Sequence, residues 1–490
     1  MFRPVDFRRK SLWLLLLLFL SCQKVERVEM PITTTSEEAR KLFIKGLELY
    51  ENLREAEARE YFQRALEKDM DFALCHFYLA DIAASALDFQ THLKMAVALS
   101  KNVSEGERLL IESLRALAEN NPEQAIILRQ KLVEMYPMDK RAHRFLGYLY
   151  RKRDDRKAIE EFQKAIEIDP KYAPAYNNLG YAYRRLGEYD RAIEAFKKYM
   201  RLLPDEPNPY DSIADLYTKM GKHEEAIKYY KKAVKLNKAF AFSQRKIGEN
   251  YIFMGDFDRA RKALQRALEL SETAPGRVNT YLLIASSYLY ENDFDRALQS
   301  AGKAAAFAKA SDLPDWQTQV CFFKARIYLE TGQFSEAGEE LQRCEQLLKT
   351  ASLPALTVEK FHYKALALRA MLAARKKDFD TAFDLAEQLK ARIASGKDFK
   401  EIERYHRLMG FIYTLNGHPA TAIAHFRQGN VNDPFVLFYW AECEKQLGNE
   451  SKAMELLDKV ANWNEHSLDY ALLRSKALSL TASVRFTERS

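Results

Sequence analysis

The sequence predicts an all-α fold, built as a solenoid of helix-turn-helix hairpins, and three observations lead to this prediction. First, the composition favours helices: 47% of the residues are hydrophobic and 30% are charged, with only 17 Gly and 14 Pro in 490 residues. Second, apolar residues recur at helical spacing along most of the chain. Third, one register of small and large residues returns every 34 residues in its middle part.

The first residues of the chain have the pattern of an export signal. Arg8, Arg9 and Lys10 form a basic start, and an apolar run from Ser11 to Leu20 follows. Ten apolar residues are too few to span a bilayer, because a membrane helix needs about twenty. A basic start with a short apolar run is typical of a secretory signal peptide, which we expect over residues 1–21.

The end of this run resembles a bacterial lipoprotein signal, in which a small residue precedes the cysteine that becomes the new N-terminus. Ser21 and Cys22 occupy these two places. The resemblance implies that Cys22 is lipidated and, with Gln23 following it, that the protein is a periplasmic or outer-membrane-anchored lipoprotein. Ordinary cleavage and an uncleaved anchor are the alternatives.

The segment after the signal lacks a helical period. We interpret residues 22–35 as a tether between the membrane and the folded part. Thr35 and Glu38 have the spacing of a capping box, which predicts that the first helix begins there.

The clearest repeat unit runs from Tyr172 to Pro204. Its first helix carries an apolar stripe at i, i+3, i+4 and i+7, formed by Tyr176, Leu179, Gly180 and Tyr183. Leu186-Gly187-Glu188 interrupts the pattern, and a second helix follows. Units of this kind return through the chain and give twelve hairpins between about residues 36 and 464.

The small residues of the repeat are explained by the close approach of its two helices. Glycine inside a helix costs about 1 kcal/mol relative to alanine, so its return in one register indicates close packing of two helices. The residues predicted to pack the hairpins are Gly147, Ala158, Gly180, Ala192, Phe196, Ala214, Ala226, Gly248, Ala260, Gly410 and Ala422. This register resembles the tetratricopeptide repeat family, which implies a right-handed superhelical solenoid whose first helices line a groove for protein ligands.

The spacing of the repeats changes along the chain. Degenerate hairpins are predicted over residues 36–137, regular 34-residue units over 138–271 and longer units over 272–464. The helical pattern from Ser467 to Ala482 has no partner, so residues 465–484 are predicted to cap the array and 485–490 to form a tail.

The sequence contains no recognisable catalytic, phosphate-binding or metal-binding motif. We therefore expect no enzyme, no cofactor and no metal site. The net charge of +7 is too modest to predict a nucleic-acid-binding protein. The five cysteines form no C-x-x-C pair, and most of them fit buried apolar positions, although a Cys321–Cys344 disulfide is an alternative.

A binding surface is predicted on the first helices of the regular repeats. Its residues are Arg141, Arg144, Tyr148, Arg151, Lys152, Asn177, Tyr181, Arg184, Arg185, Asp211 and Asp215. Between residues 138 and 203 there are 16 Lys and Arg against 10 Asp and Glu. Basic groups interleaved with tyrosines suit a protein or peptide partner with an acidic segment. An ordinary solvated surface is the alternative.

Three functions are compatible with these features. The first is a scaffold or adaptor that mediates protein–protein interactions at the bacterial cell envelope. The second is binding of envelope polysaccharide or peptidoglycan, with tyrosines stacking on sugars. The third is a non-catalytic subunit of an envelope enzyme complex.

Overall fold

The computed structural model of the chain describes residues 29–52, 54–83, 86–151, 153–237, 241–271, 273–350, 353–395 and 401–487. Within these ranges the chain forms 25 α-helices and no strand. The predicted all-α solenoid is therefore confirmed. The predicted signal peptide, Cys22 and the last residues of the tail lie outside the described ranges.

The chain divides into two compact units between Glu188 and Tyr189. This boundary falls inside the segment 138–271, and the three-part division of the repeats by spacing stays a prediction. Unit 1 contains nine helices in its described part: α1 (Glu37–Glu51), α2 (Glu55–Lys68), α3 (Ala73–Asp81), α4 (Ala86–Leu99), α5 (Glu105–Ala118), α6 (Pro122–Met135), α7 (Lys140–Tyr150), α8 (Asp155–Ile168) and α9 (Ala173–Arg185).

Unit 2 contains sixteen helices in its described part. They are α10 (Tyr189–Leu202), α11 (Pro207–Lys219), α12 (His223–Leu236), α13 (Ala241–Phe253), α14 (Phe257–Leu270), α15 (Ala274–Leu289), α16 (Phe294–Ala310), α17 (Pro314–Glu330), α18 (Phe334–Thr350), α19 (Ala355–Arg375), α20 (Phe379–Ser395), α21 (Ile402–Leu415), α22 (Pro419–Phe426), α23 (Pro434–Gln446), α24 (Glu450–Ala461) and α25 (Leu468–Thr487).

Within each unit, successive helices form hairpins, whose first helices are α1, α3, α5 and α7 in unit 1 and the odd-numbered helices from α11 to α23 in unit 2. The turn between α11 and α12 shows how they are joined. Gly221 has a φ of +72°, which L-residues rarely adopt. The amide of Gly221 donates to the carbonyl of Thr218 and that of Lys222 donates to Tyr217, which satisfies the last carbonyls of α11.

The hairpins are held together by small residues under large side chains. A Cβ atom added to Gly147 would lie 2.6 Å from Phe162, and one added to Gly248 would lie 2.7 Å from Leu264. An added Cβ at Gly410 would clash with Phe426 in the same way. The other predicted packing residues are all buried: Ala158, Gly180, Ala192, Phe196, Ala214, Ala226, Ala260 and Ala422. All four described cysteines are buried free thiols.

The segment before α1 differs from the prediction in two respects. The N-cap of α1 is Ser36, whose side chain accepts a hydrogen bond from the amide of Ala39, and not Thr35. Thr35 instead donates its amide to Asp69. The predicted tether is also partly docked, because Met30 is buried and donates its amide to Asp139 at 2.9 Å. Its described residues 29–35 therefore belong to the packed structure of unit 1.

The last helix, α25, is more than the predicted cap. It packs on α24 and α23, as a cap must, and it also contacts α15 and α17. The Ser467 hydroxyl accepts the amide of Tyr470 at the start of this helix. The same segment therefore touches hairpins far back in the chain of unit 2.

Candidate functional site

The predicted binding residues of unit 1 lie on α7 and α9. At the start of α7, Arg141 is largely covered and forms a 3.3 Å ion pair with Asp139, the N-cap of the helix. Burial alone would lower the pKa of the Arg141 guanidinium, but Asp139 raises it above its usual value. Arg141 is thus paired within the protein and offers little free charge to a ligand.

Arg144 is buried, which corrects its prediction as a surface residue. Its guanidinium lies over the ring of Tyr50, 5.5 Å from the centroid, and over that of Phe145 at 4.9 Å. Burial alone would lower the pKa of Arg144, but Tyr172, Tyr50 and other neighbours raise it well above the usual value. The turn of α7 that carries Arg144 faces α1, so this side chain is enclosed within unit 1.

Two tyrosine–arginine pairs lie on the predicted surface, with Tyr148 exposed and the other three residues half-buried. The guanidinium of Arg151 lies 3.9 Å from the ring centroid of Tyr148, and that of Arg184 lies 5.1 Å from the centroid of Tyr181. Tyr148 is half exposed, with 50% of its surface accessible. The two pairs occupy equivalent places in consecutive repeats, 33 residues apart. A guanidinium over an aromatic ring is attracted by the π electrons, so each tyrosine helps to position its arginine.

A third arginine of this surface is neutralised within the protein. Arg185 donates through Nε to both oxygens of Asp155, at 2.8 and 3.0 Å. Burial and the nearby Arg185 both lower the pKa of Arg151, against the opposing effect of Tyr148.

We name Tyr148, Arg151, Tyr181, Arg184 and Arg185 the basic aromatic face. Asn177 is buried on α9, and Lys152 lies outside the described residues.

The predicted acidic residues lie on α11 of unit 2, where Asp211 is buried and Asp215 is half-buried. Asp211 is only 5% exposed and accepts a hydrogen bond from the Ser243 hydroxyl. Burial raises the pKa of Asp211 to about 7, against the lowering effect of this hydrogen bond. Asp215 accepts from the Tyr230 hydroxyl at 3.3 Å. Asp211 was therefore wrongly predicted to face a ligand, since α13 covers it.

Within the described residues, no group of His, Cys, Asp and Glu side chains is arranged to hold a metal ion. The ring of His425 pairs with that of His406, Nδ1 to Nδ1 at 3.0 Å, and stacks on Tyr413. In the same part of the chain, no helix combines the length and the apolar character needed to cross a bilayer.

Comparison with known families decides what the repeats are. Four models, each described as a tetratricopeptide repeat, match residues 161–194, 239–310, 208–240 with 318–347, and 112–173. The chain carries tetratricopeptide repeats. Tetratricopeptide arrays are scaffolds for protein–protein contacts, and the repeats of this chain support the same general role.

Several solved structures are similar to parts of this tetratricopeptide array. MamA is 27% identical with a TM-score of 0.29, and the match covers 32% of this chain and 93% of that one. MamA (41-end) from Desulfovibrio magneticus RS-1 is 18% identical, with a TM-score of 0.30 and coverage of 34% and 95%. YrrB, described as a TPR protein with an unusual peptide-binding site, is 22% identical, with a TM-score of 0.28 and coverage of 38% and 94%. No curated protein matches the chain.

A second set of charged residues in the tetratricopeptide array was not predicted. Asp469, at the start of α25, lies between Arg326 of α17 and Arg407 of α21. Burial alone would raise the pKa of Asp469, but Arg407 and Arg326 hold it below its usual range. Each of these residues lies in an ordinary helical pattern of the sequence, so no local pattern predicts the cluster.

Proposed function

We propose that this chain is a non-catalytic adaptor of the bacterial cell envelope, anchored by a lipid at Cys22, which binds an acidic segment of a partner protein. The tetratricopeptide repeats support the general role, and the lipoprotein-like residues before Gln23 support the location. The observation that carries the binding site is the pair of tyrosine-stacked arginines on α7 and α9.

The basic aromatic face suits a carboxylate-bearing peptide for a physical reason. Arg151 and Arg184 are positioned by the rings beneath them, so they lose less side-chain freedom when they bind an anion. Tyrosine and arginine are also the residue types that contribute most at protein interfaces. Sugar binding is less well supported, because the guanidinium of Arg151 already covers one face of Tyr148.

Recovery of partner proteins from envelope extracts tests this proposal. The test variant combines Arg151→Glu with Arg184→Glu in the full-length chain. The control combines Arg156→Glu with Lys171→Glu, two exposed residues of unit 1 that are not members of this face, and makes the same change in net charge. Thermal melts establish that both variants fold.

We expect the test variant to recover at least tenfold less partner than the control, because repulsion replaces attraction at the site. Equal recovery by both variants contradicts a role for the basic aromatic face. Fractionation of a Cys22→Ala variant tests the anchor separately: release of the protein from the membrane fraction supports lipidation, and unchanged membrane association contradicts it.

A further inference from the structure

The C-terminal segment of the chain, residues 463–482, lies against the first helices of unit 2 over a long distance. Its first contact is with α11, where Lys219 pairs with Glu465 at 3.2 Å, although the two residues are 246 positions apart. The Lys219 ammonium also lies 4.9 Å from the centroid of the Trp463 ring. A helix that only capped the last hairpin would not reach this part of unit 2.

Further contacts follow on α13 and α15. Arg474 donates through Nη2 to the carbonyl of Phe253 at the end of α13, at 2.8 Å. Tyr470 is fully buried and packs edge-on against Tyr290, which directly follows α15, with ring centroids 5.7 Å apart. Ser475 donates to Asn292 at 2.8 Å. We name the surface of α11, α13, α15, α17 and α21, with the turn residues that follow them, the first-helix face.

The centre of this interaction is an alternating set of charges. Asp469 is bound by Arg326 at 3.1 Å and by Arg407 at 2.5 Å. Lys476, less than two helical turns along α25, pairs with Glu330 of α17. One carboxylate and one ammonium of the C-terminal segment thus meet the opposite charges of the first-helix face in a fixed register.

The C-terminal segment leaves some buried hydrogen-bond donors in and beside the first-helix face without a partner. Arg326 is 96% buried, and its Nη2 atom has no hydrogen-bond partner in the described structure. The buried Nε of Arg375, on α19 beside this cluster, also has none. Buried donors without partners cost free energy, so a ligand with one more acceptor at this place would gain a hydrogen bond that the chain's own segment does not make.

The arrangement resembles a bound helical peptide more than an internal element. The helix of this segment, α25, is joined to α24 by residues 462–467, which are not helical. One face of α25 is buried along the helix and consists of Tyr470, Leu473, Ala477 and Thr481, while Leu478 is exposed. Near the start of the helix Ala471 and Leu472 are buried as well. An amphipathic helix docked along a protein surface is a common mode of peptide recognition.

We propose that the first-helix face of unit 2 is a second protein-binding site, for an amphipathic helix with a carboxylate in its first turn and an aromatic residue beside it. Residues 463–482 occupy the site in cis and are displaced when such a partner helix binds. This inference rests on the proposed function, since it requires that the array binds proteins. It names a different surface from the basic aromatic face.

Exchange of the segment tests the proposal directly. A protease site is placed between Asn462 and Ser467 of the full chain, and the folded protein is cut after purification. A fluorescein-labelled peptide with residues 463–487 is then added, and its anisotropy reports binding. A peptide with Asp469→Asn and a scrambled peptide of the same composition are the controls.

We expect the labelled peptide to replace the cut segment, with at least tenfold weaker binding for the Asp469→Asn peptide and none for the scrambled one. Uncut protein should bind the peptide at least tenfold more weakly than cut protein, because its own segment competes at high effective concentration. Retention of the cut segment with no peptide exchange overturns the proposal, as does equal binding of all three peptides.

A second measurement covers the case in which cutting unfolds the protein. Hydrogen exchange of the intact chain should show that amides of α25 exchange at least tenfold faster than those of α23 and α24, because the segment releases while the array stays folded. Equal protection of the three helices overturns the proposal. Neither result depends on Arg151 or Arg184, so failure here and failure of the proposed function are distinguishable.

Discussion

The Nε atom of Arg326 donates a 3.1 Å hydrogen bond to Oδ1 of Asp469, across 143 positions of the chain. Arg407 donates to the other oxygen of the same carboxylate. The Arg326 side chain is almost fully buried, so it depends on its acidic neighbours for compensation of its charge. Loss of this pair should therefore weaken the contact of the C-terminal segment with α17 and α21.

Substitution of Asp469 by Asn should loosen α25 selectively. The change leaves two arginines facing a neutral amide, and we expect a cost of about 2 kcal/mol because the carboxylate is partly exposed. Amide exchange in α25 should then rise by about thirtyfold. Asp295→Asn, a substitution on the exposed side of α16, is the control and should leave the exchange of α25 unchanged. An equal effect of both variants would contradict the role of this ion pair.

The buried carboxyl of Asp211 predicts an unusual pH dependence. Its folded pKa of about 7 lies above the unfolded value of about 3.9, so the folded chain binds a proton that the unfolded chain releases between these values. The free energy of unfolding should therefore fall as the pH rises from 4 to 7. The Asp211→Asn variant does not lose stability in this way. At pH 8 its free energy of unfolding should exceed that of the wild type by up to about 4 kcal/mol.

Urea unfolding at pH 4, 6 and 8 measures this difference. At pH 4 the Asn variant and the wild type should have similar stability, because Asn accepts the hydrogen bond from Ser243 as well. Asp258→Asn, at an 88% exposed side chain, is the control and should follow the wild type at each pH. A variant of Asp211 that is less stable than the wild type at pH 8 would show that the residue is ionised and well compensated.

Two glycines should respond in opposite directions to substitution by alanine. At Gly147 the added Cβ would lie 2.6 Å from Phe162, so we expect a loss of about 1–3 kcal/mol from overpacking. At Gly302, inside α16, no atom lies within 4 Å of the added Cβ. Gly302→Ala should therefore stabilise unit 2 by up to about 1 kcal/mol through helix propensity. Thermal unfolding gives both signs, and stabilisation by Gly147→Ala would refute the close packing of α7 and α8.

Local sequence pattern was sufficient for the fold because each hairpin packs mainly on its neighbours. The register of Gly147 and Phe162, for example, is visible within one repeat. The burial and pairing of the site residues, in contrast, depend on contacts between distant parts of the sequence, which a local pattern does not show. Arg144 reads as a surface residue of α7, yet Tyr50, from a helix nearly a hundred positions earlier, covers it. Likewise, nothing near Asp469 in the sequence indicates its contact with Arg326.

Photocrosslinking at position 148 in the membrane-bound protein tests the central claim most directly, namely that the basic aromatic face binds a partner protein. A photoreactive amino acid replaces Tyr148, which is half exposed on this face. The control carries it at Arg156, an exposed residue of α8. We predict a discrete crosslinked partner from position 148 that is absent from position 156 and is lost when Arg184→Glu is added. No crosslink at 148, or the same crosslink at both positions, would contradict the account.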